Sequence, residues 1–234
     1  RYRLVLFFTG LQILFFAISS HKAVLFYPFL IAGVYIFARK RRALEYLTVG
    51  LIVVVLVSSF VSLAFDSNWL ASLFVRRTFF VPAQLSFVYH DLFSDIGHVY
   101  LSNSVFSRIV DYPFPEPPQL MVSDYLYGHT DTWVNNGFIA TGFMHFGYVG
   151  MLAFAGAVGL LLVLVDALID RRLPVWVGIS IVAVPFRSLF TSADLFTALL
   201  THGIIVALAV LLVIGGRQDL APYKSRSVDN TKCP

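Results

Sequence analysis

The chain has 234 residues, of which 58% are hydrophobic and 13% are charged. Soluble domains carry about a quarter charged residues, so this composition excludes an ordinary soluble domain and predicts an integral membrane protein. The formal net charge of +4 comes from short basic clusters between apolar runs. That arrangement is typical of a membrane topology signal, and we expect no nucleic-acid partner.

The sequence also predicts six transmembrane helices, because about 20 apolar residues in a helix cross a bilayer. The predicted spans cover residues 4–18, 23–38, 44–65, 137–168, 174–193 and 195–214. This all-α fold divides the chain into a first membrane part (1–65), a large outer loop (66–136), a second membrane part (137–216) and a polar, disordered tail (217–234). Because the chain begins at Arg1, we expect it to be the C-terminal part of a longer protein.

Basic residues between the spans predict the orientation. Arg39 to Arg42 follow the second span, Arg171 and Arg172 follow the fourth, and the tail carries more. Since basic residues favour the cytoplasmic side, both chain ends are expected in the cytoplasm. The outer loop then faces outward, which is the periplasm in a Gram-negative bacterium.

The outer loop is rich in aromatic residues and leucine, which disordered segments lack. Residues 69–93 have apolar residues at helical spacing, which predicts amphipathic helices at the membrane interface. Pro82 is expected to break or kink these helices. Residues 112–118, Tyr-Pro-Phe-Pro-Glu-Pro-Pro, predict a stiff extended connection.

Three arginines are candidates for binding an anionic group. Arg76 and Arg77 lie in an apolar segment, where their planar side chains could bind a phosphate or diphosphate, or could extend to lipid headgroups. Arg187 lies inside the fifth span, where ionisable groups are rare and face a partner or a cavity. Thr191 and Asp194 follow at helical spacing on the same face, so Arg187 either pairs with Asp194 or reaches an anionic substrate.

Two pairs of residues are candidates for general acid–base catalysis, namely His90 with Asp91 and His129 with Asp131. Adjacent residues on a helix point about 100° apart, so His90 and Asp91 need not form a pair, and each histidine has a surface role as its alternative.

Two asparagines precede the fourth span, where they either cap the helix or hold sugar hydroxyls; they are Asn135 and Asn136. The glycines at 142, 147 and 150, and those at 156 and 159, permit close helix packing.

The sequence contains no common motif for another kind of catalytic or metal-binding site. Cys233 is the one cysteine, and HExxH, a phosphate-binding glycine loop and GxSxG are absent from the sequence. These absences argue against a cysteine metal site, a zinc protease, a P-loop ATPase and a serine hydrolase. We expect no metal and no cofactor.

Two stretches together resemble a known family. Residues 136–143, Asn-Gly-Phe-Ile-Ala-Thr-Gly-Phe, with Phe-Gly-Tyr-Val-Gly at 146–150, resemble the segment that re-enters the membrane after the outer loop in bacterial O-antigen and capsule repeat-unit polymerases (Wzy-type). Residues 76–83 and 89–93 resemble the arginine–proline–aromatic stretch at the start of that loop. Family members usually have ten or more spans, so six spans fit a C-terminal portion of such a protein.

The resemblance implies glycosyl transfer on the outer face of the bacterial inner membrane, with undecaprenyl-diphosphate-linked oligosaccharides as donor and acceptor. Arg76, Arg77 and Arg187 would contact the diphosphate. His90, Asp91, His129 and Asp131 are the candidates for taking a proton from the attacking hydroxyl. Sugar contacts would come from Asn135, Asn136, Tyr125, Tyr127 and Trp133. The implied partners are the bilayer, a chain-length regulator and a flippase.

Three other functions compete with a polymerase. An O-antigen ligase shares the chemistry and differs in its acceptor. A transporter or flippase predicts broken helices or repeated halves with polar residues at mid-membrane. A non-catalytic scaffold predicts that the outer-loop residues are freely replaceable.

Overall fold

A computed structural model describes residues 2–19, 22–104, 106–169 and 173–217 of the chain. Within these ranges all regular structure is helical, which confirms the predicted all-α fold. The helices are α1 (Tyr2–Ser19), α2 (Lys22–Phe37), α3 (Ala43–Phe65), a π-helix (Ala71–Phe80), α4 (Val81–Ile96), α5 (Pro118–Tyr127), α6 (Phe138–Ile169), α7 (Val175–Thr191), α8 (Leu195–Leu200) and α9 (Ile204–Arg217). The basic pair Arg171–Arg172, and the polar tail from residue 218 onward with Cys233, lie outside the described residues.

Two helices are long and apolar enough to cross a membrane, namely α3 with a mean hydropathy of 2.6 and α6 with 2.5. Only 6% of the apolar window in α3 is buried inside the protein, so α3 does not resemble the core helix of a soluble protein. Its exposed apolar surface supports association with a membrane, because water would disfavour it. Shorter apolar segments are Leu6–Ile18, Phe26–Phe37, Val175–Thr191 and Ile204–Gly215.

The helices pack into two apolar cores. One lies among α6, α7, α8 and α9, and its fully buried residues include Leu189, Ile204 and Leu211. The other lies between α4, α5 and the start of α6, around Phe93 and Met144. Helices α4 and α5 therefore belong to the folded core. The apolar spacing of residues 69–93 predicts helices there, but at the membrane interface, and it does not predict α5.

Two predicted helix boundaries need correction. The sixth span, predicted as one helix over 195–214, is broken at Thr201–Gly203 into α8 and α9, and Gly203 has a positive φ of 87°. The helix predicted as the fifth span ends at Thr191, so Asp194 caps α8 instead of continuing α7. Asp194 therefore does not share a helix face with Arg187.

Pro82 marks a change of helix type. The π-helix ends at Phe80 and α4 begins at Val81, so Pro82 lies in the first turn of α4. The π-helix runs directly into α4, and the N–H of Val81 donates to the carbonyl of Arg76. Pro82 has no N–H to donate, and it lies where π-helical hydrogen bonds give way to α-helical ones. The predicted break at Pro82 is thus a junction between two helices.

The start of α6 folds back on itself, so the fourth span predicted over 137–168 is not one continuous helix. The backbone leaves helical geometry at Phe146 (φ −142°, ψ 23°) and Gly147 (φ 62°, ψ −146°). A Cβ atom at Gly142 would lie 2.9 Å from the carbonyl oxygen of Gly150, whereas positions eight apart on a straight helix are about 12 Å apart. We call residues 137–150 the glycine hairpin; its first limb is 138–145 and its second limb continues as the long part of α6.

Candidate functional site

An accessible polar cluster lies where α4 meets the glycine hairpin. Nδ1 of His90 lies 3.1 Å from Oδ1 of Asp91, and Nε2 lies 2.9 Å from the hydroxyl of Tyr148. The side chains of His90 and Asp91 are 38% and 60% exposed. A carboxylate, an imidazole and a hydroxyl are thus joined in series at a surface that a substrate can reach.

These contacts define the tautomer of His90. The carboxylate of Asp91 accepts a hydrogen bond from Nδ1–H, which leaves the lone pair of Nε2 to accept from the Tyr148 hydroxyl. A carboxylate that orients an imidazole in this way presents its second nitrogen as a base. The cluster is therefore suited to removing a proton from a hydroxyl group.

The glycine hairpin positions the ring of His90. The ring of Phe143 lies 4.6 Å from that of His90 at 35°, and 5.3 Å from that of Tyr148 at 76°. His98 covers Gly147, where a Cβ atom would meet its Nε2 at 3.0 Å. A side chain at Gly147 would push His98 away, and the positive φ of Gly147 also favours glycine.

A second histidine–carboxylate pair lies at the end of the first limb. His145 is fully buried, and its Nε2 lies 2.9 Å from Oδ2 of Asp194. The backbone N–H of Leu101 donates to Nδ1 of His145 at 3.0 Å, so the ring proton is on Nε2 and is donated to Asp194. The pair joins the hairpin to the start of α8.

The loop at residues 99–101 caps the first limb. The N–H groups of Val99 and Tyr100 donate to the carbonyls of Met144 and His145 at 3.0 and 3.3 Å. Tyr100 and Leu101 have positive φ values of 48° and 65°, which are unfavourable for residues other than glycine. Such strain persists where the surrounding structure requires it. In this conformation the N–H groups of residues 99–101 all point toward the end of the first limb.

Replacing Asp194 by alanine is expected to lower the free energy of unfolding by about 2–4 kcal/mol. The substitution removes the acceptor for His145 and the side-chain cap of α8, in which Oδ1 accepts from the N–H of Phe196 at 3.0 Å. The thermal unfolding midpoint in detergent measures the change. Asp194→Asn keeps an acceptor oxygen and should lose less, whereas exposed Asp95→Ala should change little. Equal midpoints for Asp194→Ala and wild type would contradict this role.

The two asparagines before the fourth span differ in role. Asn136 is 5% exposed; its Oδ1 accepts from the N–H of Gly137 at 2.8 Å and its Nδ2 donates to Ser86 at 3.2 Å. Asn136 thereby ties the hairpin to α4, which is closer to the predicted capping role than to sugar binding. Asn135 is exposed.

The three candidate arginines are all exposed. Arg76 lies on the π-helix and lines a cavity of about 380 Å³ together with Asn68 and Ser72. Arg77 follows it on the same helix. Arg187 forms no ion pair with Asp194 among the described residues, because Asp194 contacts His145 instead.

The remaining predicted site residues lie between positions 125 and 133, in the second half of α5 and in the segment that follows it. His129 contacts Asp131 at 3.9 Å and stacks on Tyr127 at 5.7 Å. No hydrogen bond or ion pair among the described residues joins this pair to His90 and Asp91. Tyr125, Tyr127 and Trp133 expose more than half of their surface.

Sequence reasoning missed His145, Tyr148 and the role of His98. A polar residue within an apolar span is a candidate for function, and this rule, which selected Arg187, applies equally to His145. Its partner Asp194 is 49 residues away in sequence, and no local spacing relates the two.

Within the described ranges, no group of three or more His, Cys, Asp or Glu residues is arranged to hold a metal ion. Comparisons with models of protein families, with curated proteins and with solved structures find no match to this chain. The function is therefore inferred from the residues and geometry of the chain.

Proposed function

We propose that this chain polymerises undecaprenyl-diphosphate-linked oligosaccharide repeat units on the outer face of a bacterial inner membrane. The observation that carries the proposal is the Asp91–His90 pair, which presents Nε2 at an exposed surface of the glycine hairpin. The segment that resembles the repeat-unit polymerases, 136–150, contains the hairpin. The residue type expected to accept a proton is thus placed against the segment that carries the resemblance.

In the proposed reaction a hydroxyl of the acceptor sugar attacks the anomeric carbon of the donor sugar. The new C–O bond forms as the bond from the anomeric carbon to the diphosphate oxygen breaks, and the electron pair leaves with the diphosphate. The hydroxyl proton passes to Nε2 of His90, whose ring is held by Asp91. A sugar hydroxyl that donates to Nε2 takes the position of the Tyr148 hydroxyl.

Negative charge develops on the diphosphate as it leaves, and positively charged side chains near it would stabilise that charge. Arg76 lines a cavity together with the polar side chains of Asn68 and Ser72. A guanidinium group suits this role since its planar fork binds two phosphate oxygens at once. Arg187 is exposed on α7, within one helical turn of Phe190, whose carbonyl contacts Gly137. We assign Arg76, Arg77 and Arg187 to the diphosphate.

The proposal includes the six-span topology, with both chain ends in the cytoplasm and residues 66–136 outside. The clustering of basic residues after the second and fourth spans supports it. The apolar segments of α1, α2, α7 and α9 have fewer residues than the two long helices. In the proposed arrangement they cross the bilayer together with their flanking turns.

A transporter or flippase is the second candidate, and one observation favours it. Two helical stretches of the described chain are discontinuous, at 146–147 in α6 and at 201–203 between α8 and α9, and broken helices are typical of transporter binding sites. The exposed acid–base cluster favours glycosyl transfer instead. An O-antigen ligase would use the same cluster with a different acceptor.

Surface-polysaccharide profiling by gel tests the proposal in cells. Deletion of the gene, and Arg76→Ala or Arg187→Ala in the full-length protein, should collapse the long-chain ladder to a single repeat unit on the core. Arg108 is an exposed outer-loop arginine with no assigned role, and Arg108→Ala serves as the matched control with an intact ladder. Membrane levels of each variant are checked by immunoblot. A normal ladder after gene deletion would exclude the polymerase and favour the transporter.

A further inference from the structure

A second cavity in the outer loop lies apart from the histidine cluster. Its volume is about 410 Å³, which falls in the range of about 300–1,000 Å³ typical of small-molecule sites. It is lined by Asn103, Tyr112, Pro115, Pro117, Pro118, Gln119 and Trp133.

The lining combines amide groups with aromatic and proline surfaces. Among the described residues no charged side chain lines the cavity, and Gln119 and Asn103 each bring one carbonyl and one NH₂ group. The side-chain oxygen of Asn103 is buried and has no hydrogen-bond partner in the described part of the chain. A buried acceptor without a partner is costly, so a ligand that donates a hydrogen bond here is favoured.

The cavity is stiff, which lowers the entropy cost of binding. Proline residues fix the backbone of its wall. The Tyr112 hydroxyl donates to the carbonyl of Glu116 at 2.9 Å. Burial raises the pKa of Tyr112 to about 12, so the hydroxyl keeps its proton and this contact at neutral pH.

Two hydrogen bonds connect the cavity wall to the residue before His90. The N–H of Val134, next to Trp133, donates to the carbonyl of Gln119 at 3.4 Å. The hydroxyl of buried Tyr89 donates to the carbonyl of Val134 at 3.0 Å. Burial, with smaller contributions from Tyr112 and Asp194, raises the pKa of Tyr89 above its usual range. Tyr89 directly precedes His90, so these two hydrogen bonds link the two sites.

From these features we propose that the cavity is a saccharide subsite, which holds a neutral sugar of the oligosaccharide beyond the reacting unit. The amides of Asn103 and Gln119 bind its hydroxyl groups, and the exposed indole of Trp133 packs on an apolar face of the ring. A neutral, hydroxyl-rich ligand matches a lining with amides and no charge. The choice of a saccharide rests on the proposed function, but its binding can be measured without any transfer.

The test measures binding to the full chain in lipid nanodiscs by saturation-transfer difference NMR. The probe is the reducing oligosaccharide released by mild acid from the lipid-linked intermediates of the host cell, which carries no diphosphate. Trp133→Ala and Gln119→Ala should each weaken binding about tenfold, equivalent to about 1.4 kcal/mol. Trp69→Ala is the matched control, because Trp69 and Trp133 are both 62% exposed; Gln84→Ala is the control for Gln119.

Three results would contradict the proposed subsite. The first is that the wild type does not bind the probe, and the second is that both cavity variants bind it with wild-type affinity. The third is that inorganic pyrophosphate displaces the probe, which would assign the cavity to phosphate. Unfolding midpoints verify each fold, and the conservative Trp133→Phe, which keeps an aromatic face, should bind within about threefold of wild type. Saccharide binding lost in Trp133→Ala supports the subsite even if the ladder persists after gene deletion, so failure of the subsite and failure of the polymerase are separable.

Discussion

Alanine at Gly150 is expected to open the glycine hairpin and to lower the free energy of unfolding by about 3 kcal/mol. A Cβ atom at this position would overlap the carbonyl oxygen of Gly142 and lie 3.0 Å from the Cβ of Phe146. The oxygen belongs to the backbone of the first limb, so it cannot move aside as the end of a flexible side chain could. The two limbs must separate, and separation also moves Phe143 away from His90.

The unfolding midpoint in detergent measures this effect, and the same helix provides matched controls. A Cβ atom at Gly156 or Gly159 would meet no other described segment of the chain within 4 Å. Gly156→Ala and Gly159→Ala should therefore be neutral or stabilising by up to about 1 kcal/mol, because alanine favours a helix over glycine. If Gly150→Ala unfolded at the same temperature as these controls, the fold-back at 146–147 would be wrong.

Substitution of His90 by alanine is expected to reduce the rate of chain extension by about a hundredfold to ten-thousandfold, the contribution of a positioned general base. The ring packs between Asp91, Phe143 and Tyr148 without being buried. Its loss should therefore affect the reaction much more than stability. Polymer length on gels, corrected for the amount of protein in the membrane, measures the rate.

Three further variants show whether the loss is specific to a base at His90. His202 is exposed in the turn between α8 and α9, so His202→Ala should retain wild-type activity. Tyr148→Phe keeps the ring and should lose less than His90→Ala, because the proton passes to Nε2. His129→Ala tests the alternative base predicted from sequence, and we expect a small effect, since no hydrogen bond among the described residues joins His129 to the hairpin. Activity that depends on His129 and not on His90 would contradict the assignment.

Local features of the sequence predict much of the site. The helical spacing of apolar residues predicts α4. The sequence names His90 and Asp91 as candidates but leaves their pairing open, because adjacent residues on a helix point about 100° apart. The five glycines from 142 to 159 are predicted to permit close packing. The structure explains 142, 147 and 150 by a backbone contact or a positive φ, whereas a Cβ atom at 156 or 159 would meet no other described segment within 4 Å. The predictions that succeed depend on interactions within a few residues or on the lack of a side chain.

The other parts depend on contacts between distant residues. His145 meets Asp194 only because the hairpin returns the first limb toward α8. The break between α8 and α9 falls at Thr201-His202-Gly203. This short polar interruption with a glycine is visible in the sequence, but the prediction places it inside one span. The choice between an Arg187–Asp194 pair and a His145–Asp194 pair likewise depends on where α7 ends, and helix ends are the least predictable boundaries.

Glycosyl transfer is tested most directly with the purified full-length protein in proteoliposomes that contain the lipid-linked repeat unit of the host as the sole sugar source. We expect the wild type to produce oligomers of two or more repeat units on one lipid and to release undecaprenyl diphosphate, and His90→Ala to yield at most about a hundredth as much product. A folded wild-type protein that leaves the repeat unit unextended, but moves it across the bilayer, would contradict the proposal and identify a transporter.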